Sequence, residues 1–332
     1  MERNKLYNPR YSVLTREERE ALLISLTKYC DERFTFLRFE RFERFGMATD
    51  TAVYICKGAE FVFVPGGEVT LGWDAFAIGP DDLTLSEIDE FFKEFEFEDP
   101  PELEVLLREQ MSPVRKVNIA PMLVERYVND NDVGWRNIAL DSPELEPFQK
   151  DIEKHFRGTG MFTISSKMRI FKDKETGEIR SQIYEPIAFN DFLKKLHGEN
   201  FSLPTEDEWE YLCGGGSRTL YRWGDSFDYE MKLHHFEAAL PKDAPYTLEE
   251  PNQFGLSIAY DPYQMEVVEN SEYFLKGGDG GCNICGGSGM VFGYLPVATY
   301  FRSESLSISN DELNYQGDIG GGYTFYRRIV RL

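Results

Sequence analysis

Basic residues are scarce in this chain of 332 residues: 36 Lys and Arg stand against 58 Asp and Glu, a formal charge of −22. A field of that sign repels phosphate backbones, and no local basic patch offsets it, so no nucleic acid is expected as a partner. Long apolar runs are missing too. None approaches the roughly 18 residues that a bilayer-crossing helix needs, so no membrane is expected as a partner either. The opening MERNKLYNPRYSVLTREERE has no apolar stretch behind its charges, and a secretory signal is not expected. Cysteine is limited to five residues, an odd number, and Cys30, Cys56 and Cys213 are isolated in sequence. That excludes the disulfide framework of a small secreted domain and makes a reducing cytoplasm the expected setting. Histidine is limited to four residues, at 155, 197, 234 and 235, with no HxxxH pair. No internal repeat of solenoid period is present.

What is abundant is aromatic: 26 Phe and 18 Tyr, within 42% hydrophobic and 28% charged residues. This is the composition of a globular chain with ample core material, as two domains or one large α+β domain. Thr15-Arg16-Glu17-Glu18 is a capping box and predicts a helix over about 16–32. The phenylalanines at 34, 36, 39, 42 and 45 alternate only partly among Arg and Glu, which suggests a strand. Residues 51–56, 60–64, 68–73 and 114–119 read as extended segments. The acidic stretch 79–112 is expected to carry two helices, from about Ser86 and after Pro101, as an insertion across one sheet face. Its phenylalanines 91, 92, 95 and 97 suit a solvated amphipathic helix or a surface for a basic partner. Ser142-Pro143 predicts a helix to about His155. Met168–Phe171 and Ile179–Tyr184 read as a hairpin, and a helix from about Ala188 should end in a left-handed cap at Gly198. After residue 214 the chain turns loop-rich, ending in a strand over 323–331.

The strongest local signal is LPTEDEWEY at 203–211. Pro204 stops the preceding strand, Thr205 caps, Glu208 reciprocates and Trp209 anchors. This is a structural element without chemistry of its own. It occurs in order with FVFVPGGEVTL (61–71), VNIAPMLVERYVN (117–129), YRWGD (221–225), NQFGL (252–256), Gly277-Gly278 and YRRIVRL (326–332). Together these segments resemble the formylglycine-generating enzyme family, the sulfatase-modifying factors, over residues 60–332. The resemblance implies an α+β, C-type-lectin-like fold with little regular secondary structure. The expected organisation is an N-terminal helix and strand extension over 1–55 and a sulfatase-modifying-factor-like domain over 56–332.

The family contains a copper-dependent oxidase that acts on a peptide cysteine, iron-dependent sulfur-transfer enzymes and non-catalytic relatives, so function has to be argued from the site. Catalytic members carry two cysteines after the Gly-Gly pair. Here Cys282 stands at the first position, position 287 is glycine in place of the second, and Cys285 follows at CxxC spacing instead. Asp279 replaces the family's serine, and only Arg302-Ser303 matches its later Arg-Ser step. Two soft thiolates three apart suit Cu(I); they equally suit half of a zinc site shared between two chains, a redox pair, or two thiols in a packed loop. Glycine-rich surroundings argue against the helix a redox pair needs. The family's calcium element corresponds to Glu266–Asn270, where Glu266 and Glu269 are candidate Ca²⁺ ligands or plain surface glutamates. The expected function is a non-catalytic binding module for a peptide or small-molecule ligand. The alternative is a copper oxidase of a thiol or cysteine-containing peptide, with Cys282 as copper ligand, Cys285 as its partner and Arg302 orienting substrate.

Overall fold

Both capping boxes form. The Thr15 hydroxyl accepts the Glu18 N–H while the Glu18 carboxylate accepts the Thr15 N–H, and the helix Arg16–Leu26 begins there. Thr205 and Glu208 exchange the same two bonds ahead of the helix Glu206–Gly214, which closes on a left-handed Gly215. The structure is a computed structural model that describes residues 2–28, 33–130, 134–150, 152, 160–164, 168–172, 175–185, 187–236, 245–270, 274–302, 318–319 and 323–332. Cys30, His155, Ser303 and the residues 173–174 of the expected hairpin turn lie outside these.

The main sheet has five strands, in the spatial order Thr35–Arg44, Met47–Cys56, Ala59–Val64, Met122–Glu125 and Ile329–Arg331, every neighbouring pair antiparallel. The Phe/Arg/Glu segment is therefore a strand, and it forms one edge. Arg38 grips Glu60 through both terminal guanidinium nitrogens and Glu40 through Nε, while Arg41 pairs with Glu43. The strand Met47–Cys56 runs across position 55, so residues on both sides of that expected boundary share one sheet.

Side chains alternate across a strand, and here both faces are covered. Val53, Val62, Val64 and Val124 enter one core; Ala52, Tyr54, Phe61, Phe63 and Leu123 enter the other. That explains the unbroken apolar run FVFV. Each of the two Phe residues, fully buried, contributes about 1.5–3 kcal/mol by transfer alone. The first core takes Trp209 and the acidic insertion; the second takes Leu23 and Leu26 of the first helix and Phe192 and Leu196 of the helix Phe189–Gly198.

The insertion's helices are Asp82–Glu94 and Leu103–Glu109. The first starts before Ser86 because Asp81 caps it, accepting the Thr84 N–H at 2.8 Å. Ile88 and Phe92, one turn apart, reach the core, and Phe91 packs on Phe292 with centroids 4.5 Å apart. These two phenylalanines are packing groups; Phe95 and Phe97 stay about half exposed.

A second, four-stranded sheet, Trp135–Ile138, Ile179–Tyr184, Met168–Lys172 and Gly160–Ile164, includes the expected hairpin and has its own small cluster around Leu145 and Met168. The helix expected after Ser142 opens as a 3-10 segment, Pro143–Phe148, with Pro147 inside it, and is α-helical at residues 149–150. The left-handed residue after the helix Phe189–Gly198 is Asn200, φ +56°, and Gly198 stays helical; asparagine tolerates that region better than most side chains. The terminal strand is split: Thr324–Tyr326 runs parallel to Met265–Val268, and Ile329–Arg331 joins the main sheet. The α+β class read from the sequence is the one found. Among the described residues no helix is long and apolar enough to cross a membrane.

Candidate functional site

The Gly277-Gly278 pair delivers the chain into the loop that holds both candidate thiols. A Cβ on Gly278 would sit 2.6 Å from the carbonyl oxygens of Pro262 and Gln264, so only glycine lets these two segments touch. The Asp279 N–H then donates to Pro262 O at 2.9 Å. Asp279 is buried, and its carboxylate accepts the N–H groups of Gly281 and Asn283, each at 2.9 Å. Burial raises this carboxyl above its ordinary value of 3.8, against the pull of those N–H groups.

Asp279 thereby starts a single helical turn, Cys282–Cys285. The expectation that glycine would prevent a helix is corrected here: the glycines flank the turn. Gly281 caps it at φ +83°, where a Cβ would enter the Tyr263 ring. The loop is anchored beyond the turn as well. Tyr221 of YRWGD donates to Val291 O at 2.6 Å, and Glu87 of the insertion accepts the N–H groups of Met290 and Val291.

Cys282 and Cys285 are both exposed, and neither is in a disulfide. Residues three apart on a turn are neighbours. The Cys285 sulfur lies 2.8 Å from the Tyr263 hydroxyl. That hydrogen bond, then burial, pushes the Tyr263 phenol up to about 12. Tyr263 belongs to a row of rings. Its centroid is 5.4 Å from Tyr323 and 4.7 Å from His235; His235 is 5.0 Å from His234, and His234 is 4.7 Å from Tyr246. The two histidines face different carboxylates: His235 Nε2 meets Asp261 at 2.8 Å and His234 Nδ1 meets Glu249 at 3.3 Å. Sequence reasoning missed Tyr263 and Tyr323 altogether. The one available signal, Tyr263 directly after a proline and just ahead of the Met265–Val268 strand, says nothing about a cysteine 22 residues on.

The other sequence-predicted site residues are drawn into ion pairs. Arg302 forms a two-bond clamp on Glu206, at 2.9 and 2.8 Å. Its guanidinium serves the helix Glu206–Gly214. Every acid of that helix has such a partner: Asp207 and Glu210 meet Arg115, Glu210 also meets Lys276, and Glu208 meets Arg331. LPTEDEWEY is thus a hub joining distant segments. Glu266 is buried and held by Arg327 through two bonds of 3.0 Å. Glu269 faces His197 at 3.2 Å and Arg331 at 3.8 Å.

Burial raises the Glu206 carboxyl, but the hydrogen bonds from Arg302 and the charges of Lys276 and Arg115 outweigh it and leave the group below its ordinary 4.5. A depressed folded-state value contributes stability above the unfolded value that disappears as pH falls through the folded one. Glu206→Gln is therefore expected to lower the urea midpoint at pH 7. It should also flatten the loss of stability below about pH 4.5 relative to the unmodified protein. Parallel acid profiles for the two proteins would contradict this assignment.

Ligand chemistry separates the two metals that the resemblance implies. Two thiols on one exposed turn fit a soft cation such as Cu(I) by donor type. Calcium does not fit Glu266 and Glu269: an arginine already occupies the cation's place at Glu266, and residues three apart along an extended chain point to opposite faces. Among the described residues, no three or more His, Cys, Asp and Glu side chains converge as a metal site.

No curated protein matches the chain. A family model described as a sulfatase-modifying factor enzyme 1-like domain matches residues 51–278, more than half of the chain. The match starts within the strand Met47–Cys56 and stops at Gly278, ahead of the thiol-bearing turn. The hub helix and two of its partners, Arg115 and Lys276, fall within the matched residues, and the chain belongs to the sulfatase-modifying factor family, the family of formylglycine-generating enzyme.

Proposed function

We propose that this chain is a binding module of its family, taking a peptide or small ligand on the face where the thiol-bearing turn meets Tyr263. The observation that carries this reading is the row of five rings, Tyr246, His234, His235, Tyr263 and Tyr323, whose fourth ring, Tyr263, lies beside Cys285. Tyrosine and histidine offer wide contact at the cost of two side-chain torsions each. Tyr323 is 49% exposed, so part of that area is open to a partner. Asp261 and Glu249 behind the histidines favour a ligand with a basic group. Arg302, which the oxidase reading needs for substrate, serves Glu206 instead.

Copper oxidation of a thiol is the second reading, favoured by the shared turn of Cys282 and Cys285. Those sulfurs would hold Cu(I), and the metal would supply dioxygen activation.

Selection of displayed random peptides on the immobilised protein is expected to enrich sequences whose retention falls at least about tenfold with Tyr263→Ala or Tyr323→Ala, as for interface anchors. No enrichment, or retention indifferent to both variants, would refute peptide binding by the module. Anaerobic titration that finds one tightly held Cu(I), lost in Cys282→Ser, together with oxygen uptake on thiol addition, would replace it by the oxidase.

A further inference from the structure

A cavity of about 260 Å³ lies where the N-terminal segment meets the family scaffold. Tyr11, Arg19 and Met47, all before the family match, form one wall; Tyr211, Gln253 and Phe254, all within it, form the other. None of the lining residues belongs to the thiol-bearing turn.

The two tyrosines present only their rings. The Tyr11 hydroxyl donates to Asp50 O at 2.6 Å, and the Tyr211 hydroxyl donates to Pro65 O at 3.0 Å. Gln253 differs. It is 2% exposed, and its Nε2 has no hydrogen-bond partner among the described residues. Its carboxamide is packed against Gly215, where a Cβ would come within 2.6 Å of Nε2. The charge at the cavity is also unusual for this chain. The lining holds one cation, Arg19, and no Asp or Glu, in a protein of charge −22. Arg19's one carboxylate partner among the described residues, Asp50, is shared with Arg16 and Arg41, at 3.0, 2.9 and 3.6 Å respectively. Positive charge therefore exceeds what Asp50 neutralises.

Size narrows the occupant. An apolar cavity of about 150 Å³ accepts benzene, so this one takes a ring carrying a further polar group. We propose that the cavity binds a small aryl carboxylate, with its ring among Tyr11, Tyr211 and Phe254 and its carboxylate beside the charge of Arg19. This goes beyond the binding face at Tyr263, and it means that the N-terminal segment completes a ligand site on the family scaffold.

Isothermal titration of the full chain with benzoate, phenylacetate and indole-3-acetate tests it. At least one acid is expected to bind saturably at one per chain, about tenfold or more tighter than benzyl alcohol, the loss expected for one charge-assisted hydrogen bond. Gln253→Glu keeps the shape and adds a negative charge to a wall that has none, and should abolish binding while near-ultraviolet dichroism stays unchanged. Ala48→Trp, at an exposed lining position, should block entry without touching the buried groups. Cys282→Ser should leave the affinity as it was, which separates this site from the ring row. Absence of saturable binding by all three acids, or equal affinity in Gln253→Glu and Ala48→Trp, would overturn the proposal.

Discussion

Arg327→Met is expected to destabilise the protein by about 3–5 kcal/mol, the cost of breaking a buried ion pair from one side. Arg327 is fully buried and every nitrogen of its guanidinium is engaged. Nε and Nη2 hold the two oxygens of Glu266, Nη1 donates to the carbonyls of Glu125 and Arg126 at 2.6 and 2.9 Å, and Nη2 reaches Ser257 O at 2.7 Å. Methionine fills much of the volume but leaves Glu266 charged, 3% exposed and without its partner. Arg327→Lys should recover little, because one ammonium cannot span a carboxylate and three carbonyls. Adding Glu266→Gln to Arg327→Met should restore part of the loss, since the uncompensated charge is gone. Urea unfolding reads all three variants. A single variant within about 1 kcal/mol of the unmodified protein would show that this network contributes nothing beyond an exposed pair.

Lys276→Met follows, with an expected loss of about 3 kcal/mol, the low end of the same range. Lys276 and Glu210 are both fully buried, 2.9 Å apart, and the ammonium also donates to Phe301 O at 2.8 Å. The loss is smaller than at Arg327 because Glu210 keeps Arg115 at 3.0 Å. In the double variant Glu210→Gln/Lys276→Met the two losses should fall well short of adding, as groups in one network do. Full additivity in a double-mutant cycle would contradict direct coupling.

These two networks also explain what could and could not be read from the chain. Thr205 and Glu208 are three residues apart, and a cap is settled within one turn; it is legible wherever it occurs. The FVFV run and the glycine pair are legible for the same reason, since each answers to its immediate backbone. The ion pair of Glu266 is not legible, because counting carboxylates does not reveal a cation 61 residues later. Arg302 likewise resembles a family step in sequence, while its partner Glu206 lies 96 residues earlier. The acidic insertion was only half legible. Its net charge suggested a solvated face, but Ile88 and Phe92 at helical spacing carry it into the core. The meeting of Tyr263 with Cys285, and of Gln253 with the N-terminal segment, depends on tertiary approach alone and leaves no periodic trace. The thiol turn was obscured by composition: glycines that flank a turn and glycines that break one look alike in a string of letters.

A bare outer strand offers unpaired amides and carbonyls to any other extended polypeptide, and that is how fibrils recruit. At Thr35–Arg44 a newcomer would meet Arg38 already clasping Glu40 and Glu60, and Arg41 clasping Glu43. A strand docking there would set its own side chains beside those charges and partly dehydrate them. The phenylalanines woven through this segment can thus serve the interior without making the molecule sticky, and concentrated solutions should stay clear where a sequence this aromatic would otherwise cloud.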